Sequence, residues 1–151
     1  MRNGMTPLFD QQSLERWLNH FQRKAEDKML VFLQAGGEKF IEVARRSGSY
    51  KDQTGNLRSS IGYIIAKDGE VVTENFKESD KGTDKTTGKY KGRRLAEEVS
   101  LSYTGGYVLV GVAGMEYAAA VEAKGYEVVS GANTQCEKYL RDTLKSVFRK
   151  I

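Results

Sequence analysis

The feature that most constrains this chain is an apolar stripe near its N-terminus that is too long for a compact domain. Apolar residues recur at steps of three and four over Leu14–Phe32 and again over Phe40–Ala44, which predicts one face of a helix. An unbroken helix over Ser13–Arg46 would hold 34 residues and measure roughly 51 Å. A compact chain of 151 residues has a radius of gyration of roughly 15 Å. We therefore expect this helix to kink, to protrude or to lie against a neighbouring subunit.

Two local signals refine that prediction. Asp10 or Ser13 can cap the start of the helix, because short polar side chains accept hydrogen bonds from its first free N–H groups. The pair Gly36-Gly37 interrupts the pattern, and each glycine costs roughly 1 kcal/mol relative to alanine in a helix interior. We expect a bend at this pair, or two helices in tandem.

A change of hydrophobic period after residue 60 predicts strands. Residues 61–66 and 71–73 flank the turn 67–69, and its Asp-Gly step supplies the positive φ angles of a tight β-hairpin. Residues 107–112 form a continuous apolar run rich in β-branched side chains, which predicts a central strand covered on both faces. A further short strand is predicted over 126–129.

The remaining segments complete an α+β architecture within a single domain, residues 1–151. The polar stretch over 76–94 predicts a flexible, solvated insertion, and a short amphipathic helix follows from Leu95 to Tyr103. A capping box at Thr134–Glu137 predicts the start of the last helix, with Cys136 on its apolar face. The expected fold is a long N-terminal helix, an antiparallel or mixed sheet of about four strands, and a C-terminal helix.

Composition removes several classes of function. The chain has one cysteine, Cys136, and one histidine, His20, which excludes an internal disulfide and practically excludes a zinc site built from nitrogen and sulfur ligands. No apolar run reaches the roughly 20 residues of a membrane-spanning helix. Neither Cys136 nor His20 lies in a motif that pairs a nucleophile with a base. We expect no catalytic residue, no cofactor and no metal.

The charge leaves nucleic-acid binding as an alternative. The net charge is +4, from 24 basic and 20 acidic residues spread thinly along the chain, so a mixed-charge surface is the simpler interpretation. The better candidate is the basic second half of the predicted insertion, since a flexible polycation reaches a phosphate backbone at small structural cost. The candidate DNA-contacting residues are Lys85, Lys89, Lys91, Arg93 and Arg94.

Two segments carry a more specific pattern. Residues 54–61 read Thr-Gly-Asn-Leu-Arg-Ser-Ser-Ile, and residues 117–125 read Tyr-Ala-Ala-Ala-Val-Glu-Ala-Lys-Gly. They resemble the Thr-Gly-x-Leu-Arg-x-Ser-Ile and Tyr-Ala-x-x-Val-Glu-x-Gly signatures of the tail-completion, or head-tail joining (neck), proteins of tailed bacteriophages, although the last glycine comes one residue late. The matching positions are Thr54, Gly55, Leu57, Arg58, Ser60, Ile61, Tyr117, Ala118, Val121, Glu122 and Gly125.

Elementary chemistry suggests structural roles for the first motif. Gly55 permits a tight turn before the strand, and Leu57 and Ile61 can face the core. Thr54 or Ser60 can satisfy backbone groups of the loop.

One charged pair links the two motifs. We hypothesise that Arg58 and Glu122 form a bidentate ion pair, because the planar guanidinium matches a carboxylate. Two independent surface charges are the alternative, since exposed pairs contribute only about 0–1 kcal/mol.

The resemblance implies a structural virion protein of phage or prophage origin, and not an enzyme. Its implied partners are copies of itself in a ring, the connector and tail-tube proteins, and no membrane, with DNA in the lumen as a further candidate. The implied location is the virion neck, reached from the bacterial host cytoplasm during assembly. The alternative is a nucleic-acid-binding module using the basic residues of 85–94, whose affinity would fall steeply with salt.

Overall fold

The computed structural model describes residues 10–46, 55–78, 82–84, 86–115 and 129–149, with Gly4, Leu8 and Ala118, and the backbone alone at residues 145, 147 and 148. Its elements in chain order are α1 (Gln11–Arg46), α2 (Asn56–Ser59), β1 (Ile61–Lys67), β2 (Glu70–Phe76), α3 (Thr86–Ser100), β3 (Tyr107–Ala113) and α4 (Ser130–Phe148). The predicted α+β fold is confirmed, with a long first helix and a C-terminal helix. The sheet of the described part has three strands rather than about four. Residues 126–128 of the predicted fourth strand lie outside the described ranges.

The first helix is continuous through its glycine pair. It holds 36 residues, or roughly 54 Å, so the prediction of two helices in tandem is wrong. The reason is tertiary packing. A β carbon at Gly36 would lie 2.5 Å from Cδ2 of Leu140, and one at Gly37 would lie 2.6 Å from the ring of Tyr63. Both glycines are buried, and this close approach offsets their low helix propensity.

The N-terminal end of α1 protrudes. Asp10 caps the helix, since its Oδ1 accepts a hydrogen bond from the backbone N–H of Ser13 at 2.6 Å. Every residue over 11–24 is exposed. Glu26 follows this stretch on α1, and its Oε1 lies 2.8 Å from Nζ of Lys67. This ion pair connects the helix to the end of β1. Of the three expectations for the long helix, the structure therefore realises protrusion.

The hairpin prediction is confirmed. The strand over 107–113 packs on both faces as predicted, but among the described strands it lies at the edge of the sheet instead of at its centre. Asp68 and Gly69 join β1 to β2 with φ angles of 52° and 87°, the conformation that Asp-Gly favours in a two-residue hairpin turn. The strand order is β2-β1-β3, antiparallel throughout. The strand β1 is therefore central, and β3 pairs with β1 alone among the described strands.

The central strand is buried because helices cover both faces of the sheet. Ile61, Tyr63 and Ile65 pack with the apolar faces of α1 and α4. Ile64 points to the other face and packs with Val110 and with residues of α3. Side chains alternate between the faces of a strand, so a strand covered on both sides is apolar at nearly every position. That is why the run from residue 61 to 66 lacks a polar alternation.

The predicted flexible insertion over 76–94 is wrong in its second half. Phe76 is the last residue of β2 and is buried, and α3 begins at Thr86, nine residues before the predicted Leu95. This helix buries small residues at every fourth position instead of large apolar ones. They are Gly88, Gly92, Ala96 and Ser100.

The last helix also begins earlier than predicted. It starts at Ser130, so the capping box predicted at Thr134–Glu137 is wrong. Thr134 lies inside the helix, where its Oγ1 donates to the carbonyl oxygen of Ser130 at 3.2 Å. The predicted apolar face is correct at Cys136, which is buried with its Sγ 3.2 Å from the carbonyl oxygen of Gly36.

We expect Gly37→Ala to lower the free energy of unfolding by about 1–3 kcal/mol, the usual cost of overpacking a core. The new β carbon meets Cγ of the buried Tyr63 ring at 2.6 Å, close to the point where the ring is anchored, so the ring cannot simply swing away. Urea unfolding measures the change. Asn19→Ala, on the exposed part of α1, is the control and should be neutral or slightly stabilising. A Gly37→Ala protein as stable as wild type would contradict this account of the glycine.

Candidate functional site

The first motif forms a tight turn ahead of β1. Gly55 has a φ of 81°, in the left-handed region, and α2 is a single turn whose Leu57 is almost fully buried. Ile61 is also buried, and Oγ of Ser60 donates to the carbonyl oxygen of Leu57 at 2.7 Å. The predicted roles of these four residues are confirmed. Thr54 lies outside the described residues.

Asn56 fastens this turn to the start of α3, a role that the sequence did not reveal. Its Oδ1 accepts a hydrogen bond from the backbone N–H of Gly88 at 2.6 Å, and its Nδ2 donates to Oδ2 of Asp84 at 3.3 Å. Oγ1 of Thr87 donates to the same carboxylate oxygen at 3.0 Å. These hydrogen bonds, the one from Asn56 first, lower the pKa of Asp84 below its ordinary value.

Three glycines let the backbones around this turn touch. A β carbon at Gly88 would lie 2.1 Å from the carbonyl oxygen of Asn56, and one at Gly92 would lie 2.3 Å from that of Ser60. At Gly114, after β3, a β carbon would lie 2.3 Å from Cα of Gly92. The backbone N–H of Gly114 also donates to the carbonyl oxygen of Ser60 at 3.2 Å. We call these five residues the glycine junction.

The two motifs meet at one point among the described residues. Leu57 of the first and Ala118 of the second share a small apolar cluster, which Met115 and Val129 extend. The other positions of the second motif, Tyr117, Val121, Glu122 and Gly125, lie outside the described residues.

The Arg58–Glu122 ion pair therefore stays a prediction. Arg58 is half-buried on α2 and has interactions of its own within the fold.

Four of the five basic residues singled out for DNA contact lie on α3, and two of these four form ion pairs. Nη2 of Arg93 lies 2.8 Å from Oε1 of Glu74, and Nε of Arg94 lies 3.3 Å from Oε1 of Glu98. Lys89 and Lys91 are half-buried, and Lys85 lies outside the described residues. These ion pairs reduce the charge that this face offers to phosphate, and nucleic-acid binding stays a prediction.

The two residues considered for metal binding or nucleophilic chemistry, His20 and Cys136, differ in their exposure to solvent. His20 is exposed on the protruding part of α1. Cys136 is buried, and burial raises the pKa of its thiol. Within the described ranges, no group of three or more histidine, cysteine, aspartate or glutamate residues is placed to hold a metal ion. The same part of the chain contains no helix with the length and hydropathy to span a bilayer.

A cavity of about 240 Å³ opens between α1, the sheet and α4. Its lining is mostly apolar and consists of Phe40, Tyr63, Leu109, Gly111, Asn133, Cys136, Glu137 and Leu140. The phenol of Tyr63 donates to Oε1 of Glu38 at 3.0 Å. Burial and this hydrogen bond raise the pKa of Tyr63 to about 12. Burial therefore disfavours ionisation of both the thiol and the phenol, and the mostly apolar lining offers a binding surface for an apolar group. We call it the α1–α4 groove.

The second candidate surface is the apolar stripe on the protruding end of α1. Four large side chains lie on one face at helical spacing, with exposed fractions of 39% for Leu14, 61% for Trp17, 48% for Leu18 and 45% for Phe21. The rings of Trp17 and Phe21 stack with centroids 5.9 Å apart. We call this stripe the arm. Sequence periodicity identified it, and the structure leaves it without an intramolecular partner among the described residues.

No family model, curated protein or solved structure matches this chain.

We expect Gly92→Ala to destabilise the protein by about 3 kcal/mol, at the upper end of overpacking costs. The new methyl group would meet a backbone carbonyl of Ser60, which has no rotamer to change. Tyr90→Ala, at an exposed position of the same helix, controls for helix propensity and should change stability far less. Thermal unfolding compares the two, and equal effects would mean that the glycine junction is not tightly packed.

The lowered pKa of Asp84 predicts a pH dependence of stability. Folding favours the ionised carboxylate, so its contribution is present above the unfolded pKa of about 3.9 and is lost as the pH falls through the lower, folded value. Asp84→Ala should therefore be less stable than wild type near neutral pH, and the difference should shrink as the pH falls below the unfolded pKa. Chemical unfolding across this range measures the gap, and a gap that does not vary with pH would exclude the proposed role of the carboxylate.

Proposed function

We propose that this chain is a structural subunit of a phage head-tail joining complex, which assembles with copies of itself into a ring and docks between connector and tail tube. The observation that carries the proposal is the exposed apolar stripe of the arm. Four large apolar side chains on one face of a protruding helix are costly in a monomer and are typical of a surface that a partner covers.

The size of the stripe supports assembly through several weak contacts. At the observed exposures, its four side chains present roughly 350 Å² of apolar surface. At about 25 cal/mol per Å², burial contributes roughly 9 kcal/mol. That gain is comparable to the roughly 4–15 kcal/mol lost in translational and rotational freedom on association. A single contact is therefore marginal, whereas a closed ring, in which every subunit makes two, is favoured.

The glycine junction supports a structural role for the motif residues. It binds α2, α3 and the sheet together through backbone contacts and the hydrogen bonds of Asn56. A ring subunit needs this rigidity, because an error in the angle between neighbours accumulates around the ring. The α1–α4 groove has a mostly apolar lining that suits an apolar side chain of a partner.

We expect the purified protein to form closed oligomers of one discrete size as its concentration rises. Sedimentation velocity and negative-stain electron microscopy measure the mass and the shape. A variant with both Trp17→Ser and Phe21→Ser should be monomeric, since it removes the two aromatic side chains of the arm. Its thermal stability as a monomer should be unchanged, because neither side chain belongs to the core.

The matched control carries Asn19→Ser and Arg23→Ser, which lie on the opposite face of the same helical turns. This variant should assemble like wild type. A wild-type protein that stays monomeric at every concentration, alone and with its connector partner, would rule out the proposed function.

A further inference from the structure

We propose that the arm of one subunit docks into the α1–α4 groove of the next, so that neighbours contact each other through two different surfaces. This inference rests on the proposed function, because it names the contact that would hold the ring together.

The arm cannot reach the groove of its own subunit. Trp17 and Phe40 lie on the same continuous helix, 23 residues or roughly 35 Å apart along its axis. Phe40 lines the groove, so the helix itself holds the two surfaces apart. Any occupation of the groove by the arm is therefore intermolecular. A contact between two different surfaces leaves a free arm and a free groove at the ends of every short chain of subunits, and it ends only when a ring closes.

The groove has the volume and the chemistry for an aromatic side chain. An engineered apolar cavity of about 150 Å³ accommodates benzene, so about 240 Å³ accommodates a larger indole ring. The apolar walls come from Phe40, Leu109 and Leu140. Indole also carries one N–H that needs an acceptor when it is buried. Asn133 and Glu137 supply amide and carboxylate oxygens at the exposed rim, and Glu137 keeps its surface pair with Arg141 at 2.7 Å.

The arm has the surface that a stable contact needs. Trp17 lies at the centre of the stripe, and tryptophan is one of the three residue types enriched among the energetic hot spots of interfaces. The roughly 350 Å² of apolar stripe forms the core of the contact. The polar flanks of the same helical turns extend it toward the roughly 800 Å² per partner that stable interfaces bury.

Two variants with complementary defects test this contact. Asn133→Phe places a ring at the rim of the groove and blocks it, yet leaves the arm intact. Trp17→Ser with Phe21→Ser removes the arm and leaves the groove intact. Each alone should be monomeric by sedimentation velocity. Their equimolar mixture should form a complex of two chains and nothing larger, because it contains one intact arm and one intact groove per pair.

Trp17 also reports on the contact directly, since it is the only tryptophan of the chain. The arm variant contains no tryptophan, so all indole emission of the mixture comes from the groove variant. Titration of the groove variant with the arm variant should shift that emission to the blue and protect it from acrylamide. Gln135→Phe, at an exposed α4 position outside the groove, is the matched control and should assemble like wild type.

The outcomes separate the two proposals. A wild-type protein that never assembles overturns both of them. Wild-type rings that persist in the Asn133→Phe variant overturn the docking inference and leave the proposed function standing. A mixture that stays monomeric, without an emission shift, also overturns the docking inference. If Asn133→Phe fails to fold by circular dichroism, Glu137→Phe at the other exposed rim position repeats the test.

Discussion

The close approach of α3 to the turn before β1 is the constraint on which the rest of the fold depends. At Gly88 and Gly92 the helix backbone comes so near the carbonyl groups of Asn56 and Ser60 that no side chain fits between them. Backbone atoms cannot change rotamer, so this contact defines the position of α3 within narrow limits. One face of the sheet is thereby covered, and α1 and α4 take the other. The burial of β1 on both sides follows from this arrangement.

The apolar stripe of α1 is buried in its C-terminal part and exposed in its N-terminal part. Its C-terminal part packs against the sheet and α4, where Phe40, Val43 and Ala44 are buried. Its N-terminal part extends beyond the Lys67–Glu26 ion pair with its apolar residues exposed. One helix therefore contributes to the core at its C-terminal end and holds apolar side chains away from the domain at its N-terminal end. In the proposed assembly, this separation allows the arm of one subunit to contact the neighbouring subunit.

The described residues of the first motif hold the turn before β1 in place. Gly55 turns the chain, and Leu57 anchors the turn in the core. The carbonyl oxygen of Ser60 accepts a hydrogen bond from the backbone N–H of Gly114. Leu57 also contacts Ala118 of the second motif in one small cluster. These contacts show what the described part of the signature does for the fold.

The sequence alone determined the elements whose signals are local. Periodicity identified the long helix, the Asp-Gly step identified the hairpin, and the pattern of the last helix placed Cys136 on its buried face. It also identified the arm, since Leu14, Trp17, Leu18 and Phe21 share one helical face. These features depend on backbone geometry and on residues a few positions apart, so a sequence displays them directly.

Only the tertiary structure decided the features that depend on close packing between distant segments. The buried face of α3 consists of small residues, from Gly88 to Ser100, and hydropathy reads its first part, up to residue 94, as a polar loop. Gly36 and Gly37 look like helix breakers until Leu140 and Tyr63 are placed against them. The central position of β1 depends on its pairing with both β2 and β3. The groove exists because α1, the sheet and α4 come together around it. In each case the deciding quantity is the distance between backbones far apart in sequence, and no local pattern encodes that distance.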